Sequence, residues 1–363
     1  MKNKILYLGE KITKITSGAD LVNSRNQELL ECVGDVTYLP FVGGRFSKMY
    51  FKATDAYLKE IDSVIGKQHF DFVFIKHSHL GRACKHIKSN YLGVKIIMFF
   101  HNIEIHFASE YMKINGWKAL PFYLAIKHWE KQSVRFADYC ITLNGRDSRL
   151  MQDIYGRHSD LELPTSFPDL FDETRAKRSV MGEDKEPIDY LFVGVSFFAN
   201  VEAVQWFIND VMPMVDGHFH VVGKGMDKAL FHNVTNRVHI HGYVDDLSDY
   251  YYRARIVVSP IHVGGGMKTK TAEALMYGKT ILGSKEAFEG YEMDERCMLL
   301  CERAEDYVKN LKNIYPDFVN NQSRSLFLQL YSDEVQKSRF ARFWNDLKQK
   351  KRELLTYEQN INR

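Results

Sequence analysis

Long apolar runs are what this 363-residue sequence has least of. The longest, VKIIMFF at 94–100, falls far short of the roughly 20 residues that cross a bilayer. A spanning helix is thereby excluded, whereas contact with a membrane surface is not. The N-terminal MKNKILYLGEKITK has one short apolar run and then charge, without the long apolar region and small-residue cleavage site of a secretory signal. The expectation is a cytoplasmic protein, with peripheral contact at the inner face of the membrane left open. Cysteine is sparse and odd in number: Cys32, Cys84, Cys140, Cys297 and Cys301 show no CxxC spacing, which disfavours a disulfide framework and a zinc site and suits a reducing compartment. Neither sign of charge is in excess. A formal net charge of +3 gives no reason to expect a nucleic-acid partner, although it leaves room for a local basic patch.

What is present is material for two cores. Hydrophobic residues make up 45% and charged residues 26% of a chain longer than a single core usually supports. Short β-rich runs alternate with amphipathic stretches, the mark of parallel α/β layers, and they do so twice. The first set of expected strands is 4–9, 35–41, 70–78, 94–102 and 137–144, with helices near 20–33, 79–90 and 118–136. The second is 189–194, 218–225, 238–244, 255–260, 279–284 and 297–301, with helices near 200–213, 246–254, 268–278 and 304–315. Between them PTSFPDLFDETRAKRSVMGEDKEP (164–187) is rich in proline and charge and poor in apolar period, which reads as a linker. The expected division is an N-terminal domain over 1–165, a linker over 166–187, a C-terminal domain over 188–330, and a long helix over 331–363 that packs back across the domains. In that helix Phe340, Phe343, Trp344 and Leu347 fall at i, i+3, i+4 and i+7 and form one apolar face.

In open parallel sheets ligands sit beyond the carboxyl ends of the strands. SPIHVGGGMKTKTAEALMYGK (259–279) occupies such a place. Three glycines need a local reason, and close approach of the backbone to a ligand is the usual one. A helix starting near Met267 or Lys268 presents N–H groups without intrahelical partners and a partial positive charge, so an anion such as a diphosphate is stabilised there. Lys268 adds a full charge. Glu273, near Thr269 on the helix face, could accept hydrogen bonds from two ribose hydroxyls. The bland alternative is a tight turn followed by a Lys270–Glu273 surface pair at i, i+3. Two look-alikes fail. Gly278-Lys279-Thr280 lacks the first glycine of a P-loop, and VVGKGMDK (221–228) has Lys228 in place of the third glycine of a dinucleotide fingerprint, although Gly223 and Gly225 still suit a backbone lying close to a ligand.

The ordered run LFVGVSFFANVEAVQWFINDVMP, FHVVGKGM and VHIHGYVDDLSDYYYRARIVVSPIHVGGGMKTKTAEALMYGKTILGS, spanning nearly all of 189–301, resembles the nucleotide-sugar domain of GT-B glycosyltransferases, in particular family 4 and its sugar-transferase relatives with a GGGxK donor loop. The N-terminal half resembles them more weakly, through Ser17, Gly18, Ala19 and Arg25 after the first strand and HNIE at 101–104 after the fourth. The resemblance implies an α/β GT-B fold, two facing Rossmann-like domains with parallel sheets. It places a UDP- or GDP-linked sugar donor on the C-terminal domain and a glycan or lipid-linked acceptor on the N-terminal one. Glu273 matches the ribose-holding glutamate. Gly265, Gly266, Met267 and Lys268 match the loop at the diphosphate and sugar, Gly242, Tyr243 and Val244 the base loop, and Gly194 and Ser196 a further loop facing the diphosphate; Thr269 and Gly223 are expected beside them as donor-binding residues. Gly18 and Arg25 fall on the acceptor side.

There are departures. The family pattern E-x7-E would want an acid at 265, where this chain has Gly265, and the arginine and lysine common after the first C-domain strand are missing from GVSFFANVEAVQW. Lys268 is the expected replacement charge. No metal and no cofactor is expected: N–H groups and a lysine supply what a departing diphosphate needs, and Asp245-Asp246 reads as a helix start. With the family's retaining chemistry, His101 hydrogen-bonds the donor sugar or diphosphate with Glu104 nearby; with inversion, either serves as general base. The stretches 46–61 and 110–132 mix lysines with aromatics, which suits either an ordinary amphipathic helix or a helix touching anionic lipid. The expected function is transfer of a hexose in cell-surface polysaccharide biosynthesis. The alternatives are a nucleotide-sugar epimerase and a non-catalytic GT-B partner subunit, and the oligomeric state is left open.

Overall fold

The computed structural model describes residues 2–14, 18–42, 51–181, 186–264 and 266–361. They form two compact units, one of residues 1–164 with 336–363, the other of Thr165–Val335.

The first unit is built on six parallel strands, β1 (Asn3–Leu8), β2 (Gly34–Leu39), β3 (Phe72–Ile75), β4 (Lys95–Phe100), β5 (Tyr139–Thr142) and β6 (Leu161–Glu162), in the order β2-β1-β3-β4-β5-β6. Strands buried on both faces read as continuous apolar runs, as FVFI of β3 and KIIMFF of β4 do. Period-2 alternation sends Leu6, Val73, Ile75, Ile96, Met98 and Phe100 into one core. On the alternate register Phe72 meets Trp344 at 4.7 Å between ring centroids. The C-terminal helix Asp333–Ile361 is therefore a covering layer of this unit from Gln336 onward, with Phe340, Trp344 and Leu347 buried.

The second unit carries β7 (Ile188–Val193), β8 (Phe219–Val222), β9 (Val238–Gly242), β10 (Ala254–Ser259), β11 (Thr280–Gly283) and β12 (Met298–Leu300), parallel and ordered β12-β11-β10-β7-β8-β9. Residues 166–181, expected as linker, belong to this unit. They contain the helix Glu173–Val180, started by the Asp172 carboxylate accepting from the Thr174 and Arg175 N–H groups. Arg175 fastens it by donating to Asp246 at 2.9 Å and to Ser248 at 2.8 Å. Asp246 also caps the helix Leu247–Arg253, as its sequence position suggests.

Each sheet has one point where the chain reverses its direction of build-out: between β1 and β3 in the first unit and between β7 and β10 in the second. A crevice opens at the carboxyl ends of such strand pairs, which is where open α/β sheets take ligands.

Candidate active site

At the β7/β10 switch point the loops after β7 and β8 lie backbone on backbone. The Gly194 N–H donates to Val222 O at 2.9 Å, and the Gly223 N–H donates to Gly242 O at 2.7 Å. Gly223 has a φ of +159°, and a Cβ there would overlap the Gly194 carbonyl; no larger residue fits. Ser196 is exposed, with its N–H on Lys224 O at 3.0 Å, and Tyr243 projects into solvent beyond β9.

The glycine loop after β10 leads into the helix Thr269–Met276, with Lys268 as its N-cap in extended conformation. Gly266 takes a φ of +66°, Met267 is buried, and Gly265 lies outside the described residues. Lys268, the expected replacement charge, is paired within the chain. Its ammonium donates to Glu286 Oε1 at 2.6 Å and to Gly266 O at 2.8 Å, and its carbonyl accepts from the Tyr291 hydroxyl at 2.7 Å. Glu286 pins this loop.

The cation that reaches the end of β7 is Lys270, which sequence reasoning considered only as half of a surface pair. It is 9% exposed. Its Nζ donates to the neutral Asn200 Oδ1 at 2.7 Å, lies 4.3 Å from the centroid of the Phe192 ring, and sits where a Cβ on Gly194 would approach to 2.8 Å. No carboxylate comes within ion-pair range of it among the described residues. Burial pulls its pKa down to about 7, against the opposing field of Glu273. Asn200 is itself fixed by donating to Val195 O at 2.9 Å.

Glu273, half-buried one turn along the same helix, accepts from the Tyr251 hydroxyl at 3.2 Å. Burial pushes its pKa up to about 7, opposed by the Tyr251 hydrogen bond and Lys270. It borders a cavity of about 360 Å³ also lined by Asp246, Ser248, Tyr251 and Tyr277. A buried cation with a neutral partner over a side-chain-free floor can take an anion, and Glu273, three residues on along the helix, can accept from hydroxyl groups in the cavity it borders.

The segments after β1 and β4 in the other unit carry the remaining candidates. His101, at the end of β4, is 9% exposed and its Nε2 meets Asn23 Oδ1 at 3.1 Å; that oxygen also accepts from the Tyr7 hydroxyl at 3.4 Å. Its ring packs on His77 at 4.7 Å. Burial, with Arg25 and Lys76 adding to it, drives the His101 pKa down to about 3, so the imidazole is neutral. Glu104 opens the helix Glu104–Asn115, and burial together with Glu130 raises its carboxyl to about 7. Arg25 is spent on the chain: Nη1 donates to Pro164 O at 2.5 Å and Nη2 to Leu163 O at 3.4 Å. Gly18 starts the helix Gly18–Val33, while Ser17 lies outside the described residues.

Glu130 was not anticipated at all. Fully buried, it accepts from the N–H groups of Glu104 and Ile105 at 2.8 and 2.9 Å and from the hydroxyls of Ser78 and Tyr155, both at 2.8 Å. It caps the helix that carries Glu104 from a neighbouring helix. Mid-helix among lysines, it carries no signal in sequence.

Residues 187–317 match the protein family described as Glycosyl transferases group 1. A comparison with curated proteins gives no match. Among solved structures the chain is similar to Alr3699/HepE from Anabaena in complex with UDP and glucose, at TM-score 0.62 and 12% identity over 94% of this chain and 98% of that one. It is also similar to a glycosyltransferase from Rickettsia africae ESF-5, at TM-score 0.64 and 12% identity over 95% and 98%. A third is the lipopolysaccharide outer core galactosyltransferase WaaB in its apo form, at TM-score 0.66 and 11% identity over 94% and 98%. The fold class is theirs: α/β, with two parallel-sheet Rossmann-like units of the GT-B kind.

Proposed function

We propose that this chain is a glycosyltransferase that moves a hexose from a UDP- or GDP-linked sugar to a glycan or lipid-linked acceptor, by a retaining and metal-independent route, in cytoplasmic assembly of a cell-surface polysaccharide. The observation that carries the reading is Lys270, a buried ammonium held over the Gly194 backbone by an amide and an aromatic ring, without a carboxylate partner among the described residues. The match of 187–317 to a glycosyltransferase family covers that site, and the structure similar over most of its length from Anabaena holds UDP and glucose.

On this reading the diphosphate lies over Gly194 and the loop before Thr269, balanced by Lys270, and Glu273 accepts from the ribose hydroxyls beside the cavity. The bond from the anomeric carbon to the diphosphate oxygen breaks as charge grows on that oxygen, and a preorganised ammonium stabilises it most at that stage. The acceptor hydroxyl bonds to the anomeric carbon from the leaving-group side, and its proton goes to the departing phosphate oxygen. Neutral His101 is a hydrogen-bonding group for sugar and a poor base. Glu104 supports a second reading, inversion with a general base, because its raised pKa suits proton transfer near neutrality.

Incubation with a panel of UDP- and GDP-sugars, with and without EDTA, tests this. Release of nucleoside diphosphate unaffected by EDTA is expected. A changed sugar on an intact diphosphate would make the chain an epimerase, and absence of any turnover beside tight binding to another protein would make it a non-catalytic subunit. The anomeric configuration of the product, read by NMR, separates retention from inversion.

A further inference from the structure

The helix Leu120–Phe136 turns Ile126, Glu130, Ser133 and Val134 inward. A flanking face carries one stripe at i, i+4, i+7, i+11 and i+15: Leu120, Leu124, Lys127, Lys131 and Arg135, all exposed. The stripe is apolar at its start and cationic after that. The helix's only carboxylate, Glu130, is the buried cap and does not offset these charges. Lys127, Lys131 and Arg135 border a cavity of about 870 Å³ whose lining includes His106 and Arg157 and no acidic residue. Arg157 is committed to the carbonyls of Val134, Ala137 and Asp138 and to Asp160. The other three have no ion-pair partner among the described residues; Lys127 lies over the Tyr123 ring at 5.9 Å and Arg135 over the Phe136 ring at 5.4 Å.

Further exposed apolar side chains stand on the segments that precede the helix. Trp117, in the turn before this helix, is 81% exposed, and Phe107 and Tyr111 project from the helix Glu104–Asn115 as an exposed stacked pair at 6.4 Å. Of the other stretch with the same mixed composition, residues 46–50 lie outside the described residues, and the described part behaves differently. The helix Asp55–Lys67 sends Tyr57, Ile61 and Ile65 into the core, so its apolar residues are accounted for by packing. Those around Trp117 are not.

We propose that this face docks on an anionic bilayer, with lipid phosphates against Lys127, Lys131 and Arg135 and with Trp117, Leu120 and Leu124 at the headgroup boundary. Juxtaposed cationic and aromatic–aliphatic zones on one helical face match the two layers of such a surface, phosphate outside and acyl chain beneath. A soluble polyanion would engage the cationic part and leave the apolar end without a role. The inference deepens the proposed function, resting on a lipid-linked acceptor, but its test needs no transfer reaction.

The full chain is floated with vesicles of phosphatidylcholine containing about 30% phosphatidylglycerol and with vesicles of phosphatidylcholine alone. Binding to the anionic vesicles is expected, with a blue shift in Trp117 emission that disappears in Trp117→Phe. Lys127→Glu/Lys131→Glu/Arg135→Glu should weaken binding at least roughly tenfold, and Trp117→Ser/Leu124→Ser roughly threefold or more. Circular dichroism and donor hydrolysis should be unchanged in both variants. Failure to float, equal binding to both vesicle types, or binding indifferent to Trp117→Ser/Leu124→Ser and abolished by inorganic polyphosphate overturns the proposal, the last result assigning the groove to a soluble polyanion. Donor hydrolysis without vesicle binding removes this surface and leaves the proposed function standing.

Discussion

The two switch points place a lysine over a glycine in the same way. At β1/β3, Lys76 packs on Gly9, where an added Cβ would lie 2.8 Å from Cε; at β7/β10, Lys270 packs on Gly194, where an added Cβ would lie 2.8 Å from Nζ. Both lysines are almost fully buried. The partners differ. Lys76 donates to the Glu10 carboxylate at 3.3 Å, while Lys270 has the amide of Asn200. A buried cation without a counter-charge is costly, and the cost falls when an anion binds. The lysine-over-glycine contact is thus closed by a carboxylate in one unit and by a neutral amide in the other, the difference on which the proposed anion site rests.

Removing the open charge should have the largest effect. Lys270→Met keeps the aliphatic stem over Phe192 and is expected to lower turnover of the donor about 100-fold, or about 2.7 kcal/mol; steady-state kinetics on donor hydrolysis reads it. Next, Glu273→Gln should weaken donor binding about tenfold and change the pH profile. Glu273 must be ionised, so activity rises as pH passes its pKa of about 7, and Lys270 must be protonated, so activity falls as pH passes its own at about 7. The pair titrates together and gives a narrow optimum near neutrality. In the Gln variant the acid limb disappears, and the alkaline limb moves to lower pH because Lys270 loses the field of Glu273. The smallest effect is expected of Lys268→Ala, a roughly threefold loss in donor affinity, since that ammonium is already bound to Glu286. A loss as large as that of Lys270→Met would return the diphosphate charge to Lys268 and erase the distinction between the two lysines.

Much of the fold was legible because buried parallel strands are short, largely apolar runs, here of three to six residues. Eleven of the twelve strands fall on expected runs, and the exception, β6, has only two residues, too few for a pattern. The helix Gly145–Tyr155 was not singled out, and Asp55–Lys67 and Glu104–Asn115 only in part, through the amphipathic stretches 46–61 and 110–132. The stretch 164–187 misled because proline and charge suggest a linker, whereas Asp172 starts a helix within it. At the candidate site, glycines at a strand-to-helix junction drew attention to the loop that the proposed function assigns to an anion. The choice between Lys268 and Lys270 did not lie in the local sequence. It depends on Glu286, 18 residues on, and Asn200, 70 residues back, and on the helix starting at Thr269, which leaves Lys268 in extended backbone and turns Lys270 inward.

The central claim, that a neutral partner keeps Lys270 available to an anion, is tested most directly by giving Lys270 the partner that Lys76 has. Calorimetric titration of UDP and of GDP into the wild-type chain and into Asn200→Asp should show binding of at least one nucleotide to the wild type and affinity about 30-fold weaker, close to 2 kcal/mol, in the variant. Equal affinity in the two proteins would contradict it.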